Sequence, residues 1–371
     1  MTRAQTEEEH IDKIVQSLSP KWIGGVPGWG ATEFVNRYEN GTFFLHEEVL
    51  YGAALGSSLA GVPSIIAMKT HGLAKSMNAV LASVSTGVAA PLICIVMDDP
   101  LGQSSDNVLN TQKLLKATEL PYFKPHEYKA AIKFSTRNRL PGLVHVDCRK
   151  LSNLSPLRSS KLKPRLQRAK PLDFLVTGCN PLASQFLRQQ TRARLRANPK
   201  TGPRPHPPLV PDALPAKYRE GWSRLHALGL TLKGLSRTYR VHADAGISSL
   251  LGYPPYSAVH TTAYLGGSTA MALGCALSGV KAMWLCGDFS FASAAHLGLL
   301  EAINLNIPLN GILFDNGSAL ATGGQVSHRK GLDHLLSSFS HCSVGIESLS
   351  AESLQSSWES SSCKQSFVCL R

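Results

Sequence analysis

Twice along the chain, short aliphatic and β-branched runs alternate with longer stretches of helical spacing, and a basic segment that fits neither pattern separates the two series. This rhythm restricts the fold more than any other feature. Parallel strands need a long crossover, usually a helix, so the alternation describes parallel sheets covered by helices. In the first series, helices are expected at residues 11–18, 32–38 (with Thr32 as N-cap), 47–60 and 76–86. Strands are expected at 22–25, 42–45, 63–68, 91–97 and 143–146, and Gly61 sits where a helix terminator belongs. In the second series, strands are expected at 239–243, 281–286, 309–314, 343–346 and 366–370. Helices are expected at 266–278, 296–305 and 351–359. The fold class is α/β, with two domains, 1–148 and 171–371, joined by a basic linker at 149–170.

That linker holds eight Lys or Arg residues and no acid, and a second basic stretch at 188–219 helps bring the net charge to +13. No aromatic residues interleave with the basic run, so both stretches read as solvated surface and nucleic acid is not an expected partner. A basic surface would still steer anionic substrates. The uncharged run 79–97 contains Ser83, Ser85, Thr86, Gly87 and Pro91, which point to a helix and then a buried strand rather than a membrane span. Glu7-Glu8-Glu9 near the start lacks the apolar core of a secretory signal. The closest of the eight cysteines, Cys363 and Cys369, are six residues apart. That spacing excludes the usual local iron–sulfur and zinc signatures, and the usage suits a reducing cytoplasm.

Chemistry is densest at Gly287-Asp288-Phe289-Ser290, with Asp315-Asn316-Gly317-Ser318 following; Asn316 lies 28 residues beyond Asp288. Each element closes a predicted strand. Ligands of open α/β sheets bind outside the carboxyl ends of strands, which places Asp288 and Asn316 side by side. A carboxylate with an amide oxygen suits Mg²⁺ bridging to a diphosphate. Gly287 lets a phosphate approach the backbone, and a helix N-terminus after it would add N–H donors. Singly, Gly-Asp and Asn-Gly are ordinary turn dipeptides.

Together these residues resemble the binding signature of thiamine-diphosphate (ThDP) enzymes. The run from Asp315 to Gln325, His242-Ala243-Asp244-Ala245-Gly246, Tyr264-Leu265-Gly266-Gly267-Ser268 and Asp98-Asp99-Pro100 resemble the catalytic α subunit of indolepyruvate ferredoxin oxidoreductase. The run from His71 to Ala79 is similar to phosphonopyruvate and sulfopyruvate decarboxylases. The resemblance implies a pyrimidine-binding first domain and a diphosphate-binding second one. It implies Mg²⁺ on Asp288, Asn316 and the Ser318 carbonyl. The diphosphate site would be lined by Gly266, Gly267, Ser268 and Gly287, with Asp244, Gly246, Phe289 and Ser290 at the cofactor.

The resemblance also calls for a Glu that pushes the aminopyrimidine toward its imino form. In His46-Glu47-Glu48-Val49, Glu47 aligns with that position, while Glu48 reads as a first-turn glutamate favoured by the helix dipole. His71 is either a polar substrate contact or a structural residue. Lys69 and Lys75 either face a second anionic group or are solvated. His46, His260, His328 and Trp29 carry less weight. The implied activity is decarboxylation of a 2-oxo acid through an enamine, with a non-oxidative outcome expected. The alternative is the catalytic subunit of an oxidoreductase whose clusters sit on an electron-transfer subunit, since no cysteine-rich segment follows in this sequence. A non-catalytic scaffold is the third reading. A homodimer or homotetramer is expected, with no membrane association.

Overall fold

In the computed structural model, the described residues are 6–105, 108–151, 169–176, 216–319, 324–326 and 329–370. Most of the basic linker, the Pro-rich stretch, Leu320 to Gly323 and His328 lie outside them. Contacts group the described residues into two compact units, one ending at Leu172 and the other starting at Asp173.

In the first unit, β1 (Ile23–Gly25), β2 (Gly41–Phe43), β3 (Ser64–Lys69), β4 (Leu92–Asp98), β5 (Tyr122–Phe123) and β6 (Gly142–Asp147) form one sheet. Its order is β2-β1-β3-β4-β6-β5, and every pairing is parallel. The six residues Leu92 to Met97 are all fully buried, as expected of a parallel strand covered on both faces. Helix Glu47–Leu59 is buried from Val49 onward and ends before Gly61, whose φ of 86° admits no ordinary side chain. Backbone bonds from Ala169 N to Gly61 O and from Leu172 N to Leu59 O fasten residues 169–172 to this unit.

The second unit repeats the architecture. β7 (Leu175–Val176), β8 (Arg240–Ala243), β9 (Thr261–Thr262), β10 (Ala282–Gly287), β11 (Leu309–Phe314) and β14 (Gln365–Leu370) run parallel in the order β14-β11-β10-β8-β9-β7. The short strands β12 (Ser318–Ala319) and β13 (Gln325–Val326) pair antiparallel. From β8 the chain steps to β9 on one side and β10 on the other, so the crevice beyond the ends of β8 and β10 is a topological switch point. Helix Gly267–Leu277 is built of small residues and packs close to its neighbours; a Cβ on Gly298 would lie 2.3 Å from Thr269 Oγ1. Fully buried Trp284 anchors β10 just before Gly287, with ring centroids 6.2 Å from Phe291 and 5.7 Å from Phe367. Truncating such an aromatic to Ala costs roughly 3–5 kcal/mol.

Two local expectations need correction, and two elements were not expected. Gly30 rather than Thr32 precedes helix Ala31–Asn36, and Thr32 Oγ1 instead accepts the Gly28 amide at 2.8 Å. The helix expected at 76–86 forms as Met77–Thr86, and a short helix that was not expected, Thr70–Lys75, precedes it across Ser76. The strand expected at 343–346 reduces to one parallel bridge between Ser343 and Phe367, on the open side of the edge strand β14. Asp288 opens a helix directly: Asp288–Ser290 leads through a π turn at Phe291–Ala295 into His296–Asn304. π turns of this kind cluster at functional sites. Among the described residues, no helix is long and apolar enough to cross a membrane.

Candidate active site

β10 and β11 are parallel neighbours with Gly287 opposite Phe314, so Asp288 and Asn316 leave the same edge of the sheet. One end of the Asn316 amide lies 2.8 Å from Asp288 Oδ1 and 2.8 Å from the Ser318 carbonyl oxygen. With the amide nitrogen there, it donates to both. With the amide oxygen there, three oxygens converge, an arrangement that a cation stabilises. A half-turn of one side-chain amide therefore converts a hydrogen-bonded trio into an oxygen ligand set of the kind that suits Mg²⁺. Asp288 is 1% exposed, so a cation there would be strongly held by an incompletely solvated carboxylate.

Beside this trio lies a cavity of about 130 Å³, open on one side. Gly246, Gly287, Asp288, Phe289, Ser290, Asn316 and Ser318 all line it. A Cβ on Gly246 or Gly317 would meet nothing within 4 Å, and on Gly287 only Phe314 O at 3.9 Å, so bare backbone faces the opening. The other walls are apolar: Leu225 and Leu228 from helix Ala216–Leu235, then Ile247, Leu265, Leu285 and Phe314. The sequence gives no local sign of these, because they gather by tertiary packing. The donor set, the bare glycine backbone and the apolar wall suit a diphosphate tail held through a metal.

Gly266, Gly267, Ser268 and Asp244 do not line that cavity; they brace it. The Gly266 amide donates to Ser290 Oγ at 3.1 Å, the Gly267 amide to Tyr264 O at 3.2 Å, and the Ser268 amide to Asp244 Oδ1 at 2.7 Å. Ser290 Oγ donates to Asp244 Oδ2. One carboxylate thus ties the start of helix Gly267–Leu277 to the wall residue Ser290. Gly266 is indispensable here: its φ is 84°, and a Cβ would sit 2.4 Å from that of Ala294.

Burial pushes the Asp244 carboxyl from 3.8 up to about 6, against the hydrogen bonds from Ser290 and Ser268. Between those values the folded chain binds the proton more tightly than the unfolded chain. This group's contribution to stability therefore falls as pH rises from 3.8 to about 6. Urea midpoints measured across that range should show the component in the wild type and lose it in Asp244→Asn. An identical pH slope in both proteins would contradict the assignment.

In the first unit, Glu47 opens its helix just beyond β2, and His71 lies in the helix just beyond β3, so both stand at the carboxyl edge of that sheet. The Glu47 side chain is 18% exposed, with Lys75 Nζ 3.0 Å from Oε2. That oxygen is shielded and receives no well-aligned hydrogen bond. Gly72, next to His71, is needed for this placement, since a Cβ there would lie 2.7 Å from Glu47 Cγ. His71 lines a small cleft with Lys69, Thr70, Asp98 and Asp99. Glu48 instead accepts from Asn78 Nδ2 at 2.9 Å, and burial pushes its carboxyl up.

Both lysines have partners within the chain. Lys69 Nζ donates to Ser104 O, Ser104 Oγ and Ser105 Oγ, with Asp99 at 3.6 Å. Burial opposes ionisation of Asp99, yet the Ser104 and Gln103 amides, the Ser105 hydroxyl and Lys69 together hold its carboxyl below the usual range. Lys75 is engaged with Glu47. Trp29 packs against the first unit's core, and His260 Nδ1 accepts the Val241 amide at 3.0 Å, a role within the sheet.

Solved structures that share this fold include ThDP-dependent enzymes. The 4-hydroxybenzoylformate decarboxylase of Rhodococcus jostii aligns at a TM-score of 0.63 and 14% identity over 98% of both chains. The benzoylformate decarboxylase of Polynucleobacter necessarius aligns at 0.61 and 12%, over 99% of this chain and 98% of that one. The chain therefore has the fold of ThDP-dependent enzymes. In sequence it is 32% identical over 93 residues to indolepyruvate oxidoreductase subunit IorA of Thermococcus kodakarensis, and 33% over 86 residues to that of Pyrococcus horikoshii. These segments cover 24% and 23% of this chain but only 14% and 13% of the relatives' lengths. No family model matches the sequence.

Proposed function

We propose that the protein is a ThDP- and Mg²⁺-dependent enzyme that decarboxylates a 2-oxo acid. The convergence of Asp288 Oδ1, the Asn316 amide and the Ser318 carbonyl beside the cavity is the observation that supports this reading best. Asp288, Asn316 and Ser318 O would hold the metal, and the backbone of Gly246 and Gly287 would accommodate the diphosphate. Leu225, Leu228, Ile247 and Phe314 would exclude water from the rings. When bound, ThDP supplies a nucleophilic carbon for the 2-oxo carbonyl and an electron sink for the departing CO₂. Glu47 would hold a proton at the aminopyrimidine nitrogen, its shielded oxygen being the acceptor. His71 would contact substrate. A homodimer or homotetramer in the cytoplasm would provide the pairing of a Glu47 carboxylate with a diphosphate cradle.

The similarity to the IorA relatives favours a second reading, an oxidoreductase subunit that passes electrons to a partner subunit. One screen separates the readings: CO₂ release from indolepyruvate, phenylpyruvate, phosphonopyruvate and sulfopyruvate, with and without an artificial electron acceptor. Acceptor-independent CO₂ release supports the non-oxidative reaction. Strict acceptor dependence supports the oxidoreductase, and no release under either condition favours a scaffold.

A further inference from the structure

At the opposite edge of the second sheet from the cavity, two thiols meet. Cys342 ends the 3₁₀ turn Ser340–Cys342, and Cys363 precedes β14 by two positions. The parallel bridge between Ser343 and Phe367 draws the two segments together. Their sulfurs lie 3.1 Å apart, and a ring nitrogen of His341 completes a group whose ligand atoms all fall within 4.8 Å of one another. Cys342 is buried, Cys363 half-buried and His341 exposed.

We propose that His341, Cys342 and Cys363 bind a thiolate-seeking divalent cation, for which Zn²⁺ is the natural choice, with a fourth position open to solvent. Two sulfurs and an imidazole nitrogen match zinc's preferred donors. Zn–S bonds of about 2.3 Å in a tetrahedron set the sulfurs roughly 3.8 Å apart. A disulfide needs about 2.05 Å. The observed separation is nearer the first value, and the imidazole has a role only there. On binding, two S–H bonds give way to two Zn–S bonds and both protons leave to solvent, with no change of oxidation state. The metal would pin the start of the edge strand β14, whose far end accepts the Asp315 amide through Leu370 O at 2.8 Å.

The test uses the full chain, reduced, loaded with Zn²⁺ and desalted, with zinc counted by mass spectrometry. Co²⁺ loading provides a second readout, a thiolate-to-cobalt absorption band. One zinc per chain is expected, with affinity weakened about tenfold or more in His341→Ala and Cys363→Ser and unchanged in Cys369→Ser. Those two ligand positions are not fully buried, so the outcome does not depend on Cys342→Ser folding. Absence of retained zinc and of the cobalt band would overturn the proposal, as would zinc retained equally by Cys363→Ser, or a Cys342–Cys363 disulfide in protein purified without oxidant. None of these readouts requires ThDP, so they stand apart from the proposed reaction.

Discussion

Glu47→Gln should bind ThDP as tightly as the wild type while its turnover of the competent 2-oxo acid falls about 10²–10⁴-fold, the range for losing a positioned acid–base group. Gln keeps the size and polarity of the side chain, so the packing against Gly72 persists. The lost ion pair with Lys75, which is 52% exposed, is worth at most about 1 kcal/mol in stability. The large expected effect therefore resides in proton transfer and not in folding. Calorimetric ThDP binding alongside a CO₂-release assay separates the two. Activity within about twofold of the wild type would remove Glu47 from the mechanism.

The second large effect is complementary. Asp288→Ala should weaken Mg²⁺-dependent ThDP binding on the order of a hundredfold or more, about 2.8 kcal/mol. It deletes the carboxylate from the ligand trio and leaves only the Asn316 amide and the Ser318 carbonyl. Because Asp288 also begins a helix, its loss forfeits a favourable helix-dipole interaction of roughly 0.3–1 kcal/mol. That is too little to explain a hundredfold change. Asp288→Asn retains a polar oxygen and should fall between the two. Equal ThDP affinity in wild type and Asp288→Ala, each with excess Mg²⁺, would exclude the metal role.

The elements that proved legible are those whose composition forces one outcome. The buried apolar runs of β4 and β11 cannot be surface strands, and Gly61, Gly287 and Gly317 mark places where backbone must bend or stay bare. Asp288 and Asn316 were legible because both follow strand ends. What was not legible depends on partners distant in sequence. The π turn at Phe291–Ala295 answers to the packing around Trp284. Nothing local distinguishes the engaged Lys69 from a solvated lysine; Ser104 and Ser105, 35 and 36 residues away, decide it. That the Asp244 carboxylate braces Ser268 and Ser290 depends on residues 24 and 46 positions away. The Cys342–Cys363 meeting spans 21 residues and follows no motif spacing.

The most direct test is a calorimetric titration of the purified chain with ThDP at millimolar Mg²⁺ and again after chelation. Saturable binding near one cofactor per chain, abolished by the chelator and restored by added Mg²⁺, is the predicted result. ThDP binding indifferent to the metal, or none at any Mg²⁺ concentration, would contradict a cofactor clamped through Asp288 and Asn316.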